Sequence, residues 1–476
     1  MNSHSSSLVG TAAPGAVSPE AIDWTPPPTI ARARRVSWHG AGWLRPWLLV
    51  LAPMLAIVGA RYGFVGTDPD YWWHVKTGQF IAETGTLPRV DIFSYTVAGQ
   101  PWVTHEWLTQ LLLYLVQERF GYVGNVALFA LIGMLTSLAV YATCRLRGLG
   151  EPAAAVLMIG ASVMAMGSAN VRPQGMTALL LAVCILILTR YKLGQPRVLW
   201  ALPPLLALWV NLHGGYIIGL AVLGLAILGE GIARVLGRPS APLRPLIVVS
   251  VLSAAATLLS PHGLDAIQYP FTYAGTQNAS MRYIAEWQSP NFHQSYFILL
   301  GASLLLTILL GIGQRPLGPT EVLWTLAFTV MALQSVRHIP LYAIVMAPLL
   351  AARLQEVVPP LRRTLAEWRR PALLAVTWPL LELSVLKMLS GAGETGAQFG
   401  TEPLAAGYPA GAVEYLRTHN RVGNLFNTYH WGGYLIYQLH PQRPVFIDGR
   451  ADVYGDRFID GYMKVMRLEP DWRRVL

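Results

Sequence analysis

The sequence predicts an all-α polytopic membrane protein of about eleven transmembrane helices, followed by a small extracytoplasmic α/β segment. Three observations carry that class. Hydrophobic residues fill 53% of the 476 positions, and only 13% are charged. Apolar stretches of about 18 to 22 residues recur along the chain, each long enough to cross roughly 30 Å of hydrocarbon as a helix. Cations also sort by side. With the N-terminus cytoplasmic and the sides alternating, the basic groups at 32–35, 145–147, 192–197, 234–244, 315 and 362–370 all lie inside. The opposite loops hold scattered cations such as Lys76, Arg89, Arg172 and Arg282. This positive-inside bias accounts for most of the net charge of +10 and removes nucleic acid as the expected partner.

Residues 1–43 are rich in Ser, Ala and Pro and read as a disordered cytoplasmic tail. The apolar run after them is full span length and lacks a small-residue cleavage site, so it reads as a retained first span at 44–65. A large outside loop covers 66–120. Within it Gln79–Thr84 reads as a short helix ended by Gly85, and Trp107–Gln117 as an interfacial helix that Thr104 would cap. Further spans are expected at 122–143, 152–169, 174–191, 198–212, 215–236, 243–260, 296–312, 319–336, 338–356 and 371–389, which completes a membrane domain over 44–389. A second outside loop occupies 261–295. An odd number of spans places the C-terminus outside, on the face of the first loop.

From 390 to 476 the composition becomes more polar. Val422–Tyr429 and Pro444–Asp448 read as strands and Trp431–Leu439 as a helix between them, the start of a small α/β unit that the chain stops short of completing. Cys144 and Cys184 fall in or beside spans without ligand-like spacing, so neither a disulfide nor a cysteine metal site is expected.

The chemistry gathers in Asp68–Trp107. Asp68-Pro69-Asp70 places two carboxylates at the mouth of the first span, where they can share a divalent cation or work as base and orienting partner. The bland alternative is that they merely end a span in water. His74, His105 and Glu106 are further candidates for substrate contact, with interfacial anchoring and helix-dipole pairing as the alternatives for His105 and Glu106. Arg172, His213 in Asn211-Leu212-His213-Gly214-Gly215, and Arg337 sit in tight turns on the same face. Arginine there can bind a phosphate through two N–H groups, or simply snorkel to the interface. Asp448, Arg450 and Asp452 form a dense tail motif, read as a structural or partner-binding turn whose ion pair is worth under about 1 kcal/mol if exposed. P-loop, G-x-G-x-x-G and H-E-x-x-H patterns are missing from the sequence.

The D-x-D after the first span, the long first outside loop with its interfacial helix, and the outside C-terminal portion resemble the GT-C superfamily of integral-membrane glycosyltransferases. The stretches DPDYWWHVKTG, FSYTVAGQPWVTHEW, NLHGG and VFIDGRADVYGD are similar to a bacterial branch of that group. The resemblance covers most of the chain. It implies transfer of a sugar from a polyprenyl-phosphate donor to an envelope acceptor (lipid, glycan or protein) on the extracytoplasmic face of the inner membrane. It also implies that Asp68 or Asp70 is the general base or the ligand of a divalent metal such as Mg²⁺ or Mn²⁺. The competing expectation is a transporter or scaffold for envelope polysaccharide, for which Glu382 and Lys387 in the last span are the candidate charges.

Overall fold

Asp68-Pro69-Asp70 is followed at once by a helix, α1 (Tyr71–Thr84), longer than the Gln79–Thr84 expected from the sequence. The extra turns are held by burial: Tyr71, Trp72, Trp73 and Val75 all face inward, and that packing outweighs the modest helix propensity of aromatic residues. Gly85 stops the helix at φ 65°, its N–H donating to the Ile81 carbonyl at 2.9 Å. This structure is a computed structural model and describes residues 68–165, 170–273, 279–311, 317–357, 408–419, 423–470 and 472–474. The expected tail 1–43, the first span 44–65 and the last span 371–389 with Glu382 and Lys387 lie outside the described residues.

The interfacial segment and the span after it form one helix, α2 (Trp107–Leu146), broken at Gly121, where φ 64° favours glycine. Asn125 ties the two halves together, donating to the Leu113 carbonyl at 3.0 Å and to the Tyr71 hydroxyl at 2.9 Å. Thr104 is not the cap that the sequence suggested. Its hydroxyl donates to the Pro88 carbonyl, and Glu106 takes the cap position with its side chain committed elsewhere.

The remaining helices fall on the expected apolar stretches: α3 (Glu151–Ala165), α4 (Gln174–Lys192), α5 (Leu202–Leu212), α6 (Tyr216–Val235), α7 (Leu243–Ala256), α8 (Ile298–Gly311), α9 (Pro319–Gln334) and α10 (Ile339–Val357). Helices α2, α4 and α6 are each long and apolar enough to cross a bilayer. The bent pair Leu243–Leu259 and Leu264–Phe271 makes a fourth crossing if counted as one span. The expected total of about eleven rests on the other apolar helices crossing as well. Leu305, Ile308, Leu326 and Val330 are exposed on the bundle's outside, where hydrocarbon would cover them.

α4 packs against α2, α5, α6 and α10 near the centre of the bundle. Its 19 residues span about 28 Å and so set the distance between two polar ends. At its far end Lys192 bridges Glu230 at 2.9 Å and Glu321 at 2.8 Å. At its near end stands Arg172.

Residues 408–474 contribute α11 (Ala410–Thr418), α12 (Tyr429–Leu439) and α13 (Ala451–Met466). The two expected strands are present only as isolated parallel bridges, Leu425 to Val445 and Ser94 to Val445. The Asn427 side chain takes over part of the ladder: it accepts from the Phe446 N–H at 2.8 Å and donates to the Ile447 carbonyl at 2.7 Å. The unit docks on the first outside loop, with the Val445 N–H donating to the Phe93 carbonyl at 3.1 Å and the Tyr95 N–H to the Val445 carbonyl at 3.2 Å.

Candidate active site

Asp68 and Asp70 lie on either side of a proline at the start of α1, so their carboxylates stay close. Asp68 Oδ1 accepts the Asp70 N–H at 3.0 Å, and Asp68 Oδ2 accepts from Asn170 Nδ2 at 2.9 Å. Asp70 stands at an N-cap position, yet its side chain caps nothing. Its Oδ1 accepts from Trp73 Nε1 at 3.1 Å and its Oδ2 from Arg172 Nη2 at 2.5 Å. The Arg172 guanidinium also reaches Asp68 Oδ2 at 3.4 Å and Glu286 Oε2 at 3.2 Å. Glu286 in turn receives Arg337 Nη1 on Oε1 at 2.8 Å, while Arg337 rests on the Trp287 ring, 4.8 Å from its centroid. The structure thus joins Asp68, Asp70, Arg172 and Arg337 into one charged chain.

Burial pushes the Asp70 carboxyl up to about 7; the neighbouring Asp68 charge adds to this, and Arg172 only partly offsets it. Gly449 of Asp448-Gly449-Arg450 presses against the same carboxylate. A Cβ on Gly449 would fall 1.8 Å from Asp70 Oδ1, so any larger residue there has to displace that carboxylate. A Cβ on Gly433 would sit 2.4 Å from the Pro69 carbonyl oxygen. Two glycines of the C-terminal unit therefore shape the space around Asp68-Pro69-Asp70.

One turn along α1, a second cluster surrounds Glu106. Glu106 Oε1 lies 3.2 Å from His213 Nε2 and 3.4 Å from His105 Nε2, and Glu106 Oε2 lies 3.6 Å from His74 Nδ1. His213 is held as one neutral tautomer. Its Nδ1 accepts from the Gly215 N–H at 2.9 Å and from the Thr177 hydroxyl at 2.7 Å, and that hydroxyl accepts from Trp209 Nε1 at 2.9 Å. The Nε2 proton therefore points at Glu106. Burial holds both His213 and His74 down to about 3, so neither carries charge near neutral pH. His105 is the exception: burial alone would lower it, but Glu106 raises it above the usual imidazole value. Burial alone would raise Glu106, yet the imidazoles, His105 foremost, hold it below the usual carboxylate range. His105 also stacks on Tyr269 at 4.0 Å, and Tyr269 donates to Asp452 Oδ2 at 3.2 Å.

Asp448 and Arg450 are not the exposed turn considered from the sequence. Both are sealed from solvent, with Arg450 donating to Asp448 Oδ1 at 2.8 Å and Oδ2 at 2.6 Å, and to Asp91 Oδ1 at 2.7 Å. Asp452, by contrast, is exposed.

The expected metal role of Asp68 and Asp70 does not fit these residues. The guanidinium of Arg172, a full positive charge, stands between the two carboxylates where the ion would have to sit. Among the described residues no group of three or more His, Cys, Asp or Glu side chains is arranged to hold a metal ion.

Sequence reasoning missed Asn170, Trp73, Thr177, Glu286 and Gly449. Glu286 had a signal, being one of only two carboxylates in the loop 261–295.

No family model matches the chain, and no curated protein sequence matches it. Solved structures do. The archaeal oligosaccharyltransferase AglB from Archaeoglobus fulgidus, in complex with an inhibitory peptide and a dolichol-phosphate, superposes with a TM-score of 0.58 at 13% identity, covering 86% of this chain and 65% of that one. ArnT from Cupriavidus metallidurans, bound to undecaprenyl phosphate, gives 0.51 at 15% identity over 90% and 89%. The chain has the GT-C fold. The match spans 65% of the length of the archaeal enzyme. In GT-C terms, the Asp68 loop and the turn bearing Arg172 meet at one end of the helix bundle.

Proposed function

We propose that this protein is a membrane glycosyltransferase that moves a sugar from a polyprenyl-phosphate donor to a hydroxyl acceptor on the extracytoplasmic face. One observation carries the reading. A carboxylate tuned to about 7, Asp70, is fixed beside Arg172 and, through Glu286, Arg337, within a fold whose solved members hold dolichol-phosphate and undecaprenyl phosphate.

Asp70 takes the proton of the acceptor hydroxyl as that oxygen attacks the anomeric carbon. The bond from that carbon to the phosphate oxygen breaks, and its electron pair leaves on the lipid phosphate. Arg337 supplies cationic N–H donors for that anion. Asp70 keeps a free lone pair on each oxygen for the acceptor, because each oxygen accepts a single hydrogen bond here. A single displacement of this kind inverts the anomeric centre. A lipid-linked donor also suits a face of the membrane where nucleotide sugars are not supplied.

The test is transfer from a radiolabelled polyprenyl-phosphate sugar, comparing wild type with Asp70→Asn. Loss of the positioned base should lower the rate by about 10² to 10⁴. Equal transfer by both proteins would end the assignment.

A further inference from the structure

Three carboxylates from two distant parts of the chain converge here. Asp68 and Asp70 come from the start of α1, and Glu286 comes from the loop 261–295. Left alone, such a group is unstable: two like charges 4 Å apart near a protein surface repel by about 4 kcal/mol. Something cationic has to sit among them. In many carboxylate clusters that is a divalent ion held by four to six oxygens. In this one it is part of the chain.

We infer that the Arg172 guanidinium occupies the position a divalent cation would take among Asp68, Asp70 and Glu286, so that the wild-type site binds no divalent metal. The position of the guanidinium makes the case, and the other N–H groups hold the acids around it. All six carboxylate oxygens accept from N–H groups. Asp68 uses the Asp70 N–H on Oδ1, and Asn170 with Arg172 on Oδ2. Asp70 uses Trp73 and Arg172, and Glu286 uses Arg337 and Arg172. One planar group contacts all three acids, Nη1 facing Asp68 and Glu286 while Nη2 faces Asp70. A metal entering this space would have to displace the guanidinium, and Arg172 is anchored in the turn 170–173 that leads into α4. Pro173 follows it immediately and the Arg172 carbonyl accepts the Gly175 N–H at 3.1 Å, so the turn has little room to retreat. A guanidinium also keeps its charge at every accessible pH, whereas a bound ion depends on supply.

The inference rests on the proposed function only in treating this cluster as the reaction site. Its test does not need turnover. Mn²⁺ is titrated into the purified full-length protein, and free ion is read from its six-line electron paramagnetic resonance signal. Wild type should leave the signal undiminished. Arg172→Met keeps the unbranched stem, removes the guanidinium and frees the acids; it should bind about one Mn²⁺ at least tenfold more tightly than wild type. Adding Asp70→Asn to that variant should abolish the uptake. Stoichiometric binding by wild type that Asp70→Asn removes would overturn the inference. So would an Arg172→Met protein that elutes as a single species and takes up no ion. Should that variant not fold, wild type with and without Asp70→Asn decides alone. A protein that transfers no sugar but ignores Mn²⁺ would sink the proposed function and leave this inference standing.

Discussion

Two arginines of this protein are each surrounded by carboxylates, and their settings differ in the respect that matters. Arg450 joins Asp448 and Asp91 with no solvent exposure at any of the three side chains. Its guanidinium also faces the Phe93 ring at 5.0 Å and the Trp102 ring at 4.6 Å, and Tyr454 donates to Asp448 at 2.6 Å. Nothing there is left for a ligand to reach. Arg172, by contrast, has acids with 5%, 17% and 31% of their side chains accessible, and Asp70 is raised to about 7. The same pairing of residue types makes a sealed fastener in one place and an accessible, finely balanced charge cluster in the other. What separates them is access and an unequal share of charge.

The sharpest way to break the comparison is to remove each arginine in turn. Arg172→Ala should cut sugar transfer by about 10² to 10³, since it strips the partner charge from Asp70 and pushes that carboxyl further up. The three acids left behind repel one another, but they are partly solvated and Asp70 can take a proton, so the melting temperature should fall by less than for Arg450→Met. Arg450→Met should do the reverse, costing roughly 3 to 5 kcal/mol because two buried carboxylates lose their counter-charge. Thermal unfolding followed by tryptophan fluorescence would show it. Arg450→Lys should not restore the loss, because the fork that serves both Asp448 oxygens cannot be made by an ammonium group. If the two arginines respond alike in both assays, the division into fastener and working cluster fails.

How much of this could be read from the residues is uneven, for physical reasons. The helix positions were legible because an apolar stretch bounded by charges has few alternatives in a membrane. Asp68, Asp70 and Arg172 could be picked out because each stands in a tight turn at a span end. Glu286 was not, since its value comes from meeting Arg172 across 114 positions of sequence, which no local pattern records. Asp448 and Arg450 were read as a structural or partner-binding turn, but their burial was not legible, because it comes from tertiary contacts with Asp91, Phe93, Trp102 and Tyr454. The strands at 422–429 and 444–448 shrank to single bridges for a related reason. Asn427 supplies by side chain the hydrogen bonds that a backbone ladder would have made.

Gly449→Ala sharpens the comparison, because Gly449 sits between the two clusters, next to Arg450 in sequence and against Asp70 in space. An added methyl would land 1.8 Å from Asp70 Oδ1 and has to move the carboxylate. Displacement of a catalytic group by about 1 Å costs on the order of 10² in rate. Transfer should fall by about that much, with the Arg450 fastener and the unfolding midpoint little changed. A normal rate would show that the Asp70 position is not set by the C-terminal unit.

The pH dependence is the next step down. The base form of Asp70 is the ionised one, and its pKa is raised from the usual carboxylate value to about 7. The ionised fraction therefore drops as pH falls through 7, by about tenfold per unit once well below it. Transfer should rise with pH to a plateau above about 8. The same raised value means that the folded state holds this proton more tightly than the unfolded chain, so this group's contribution to stability declines as pH climbs from about 4 to 7. A rate that is flat across that window would remove Asp70 as the base.

The smallest expected effect tests the tautomer lock at His213. Thr177→Val replaces a hydroxyl by a methyl of nearly the same size, so packing is kept while two hydrogen bonds go: the one Thr177 accepts from Trp209 and the one it donates to His213 Nδ1. Trp209 is left with a buried N–H, which costs about 1 to 3 kcal/mol. His213 loses less, because the Gly215 N–H still reaches Nδ1 at 2.9 Å and the same tautomer remains favoured. Glu106 should then stay ionised, held down by the imidazoles around it, and transfer should fall by only a few fold. Thermal unfolding and transfer rates of the variant, measured side by side, separate the two consequences. A loss of transfer as deep as that of Asp70→Asn would mean that His213 works on the substrate directly, and the line drawn between the Glu106 cluster and the Arg172 cluster would have to be erased.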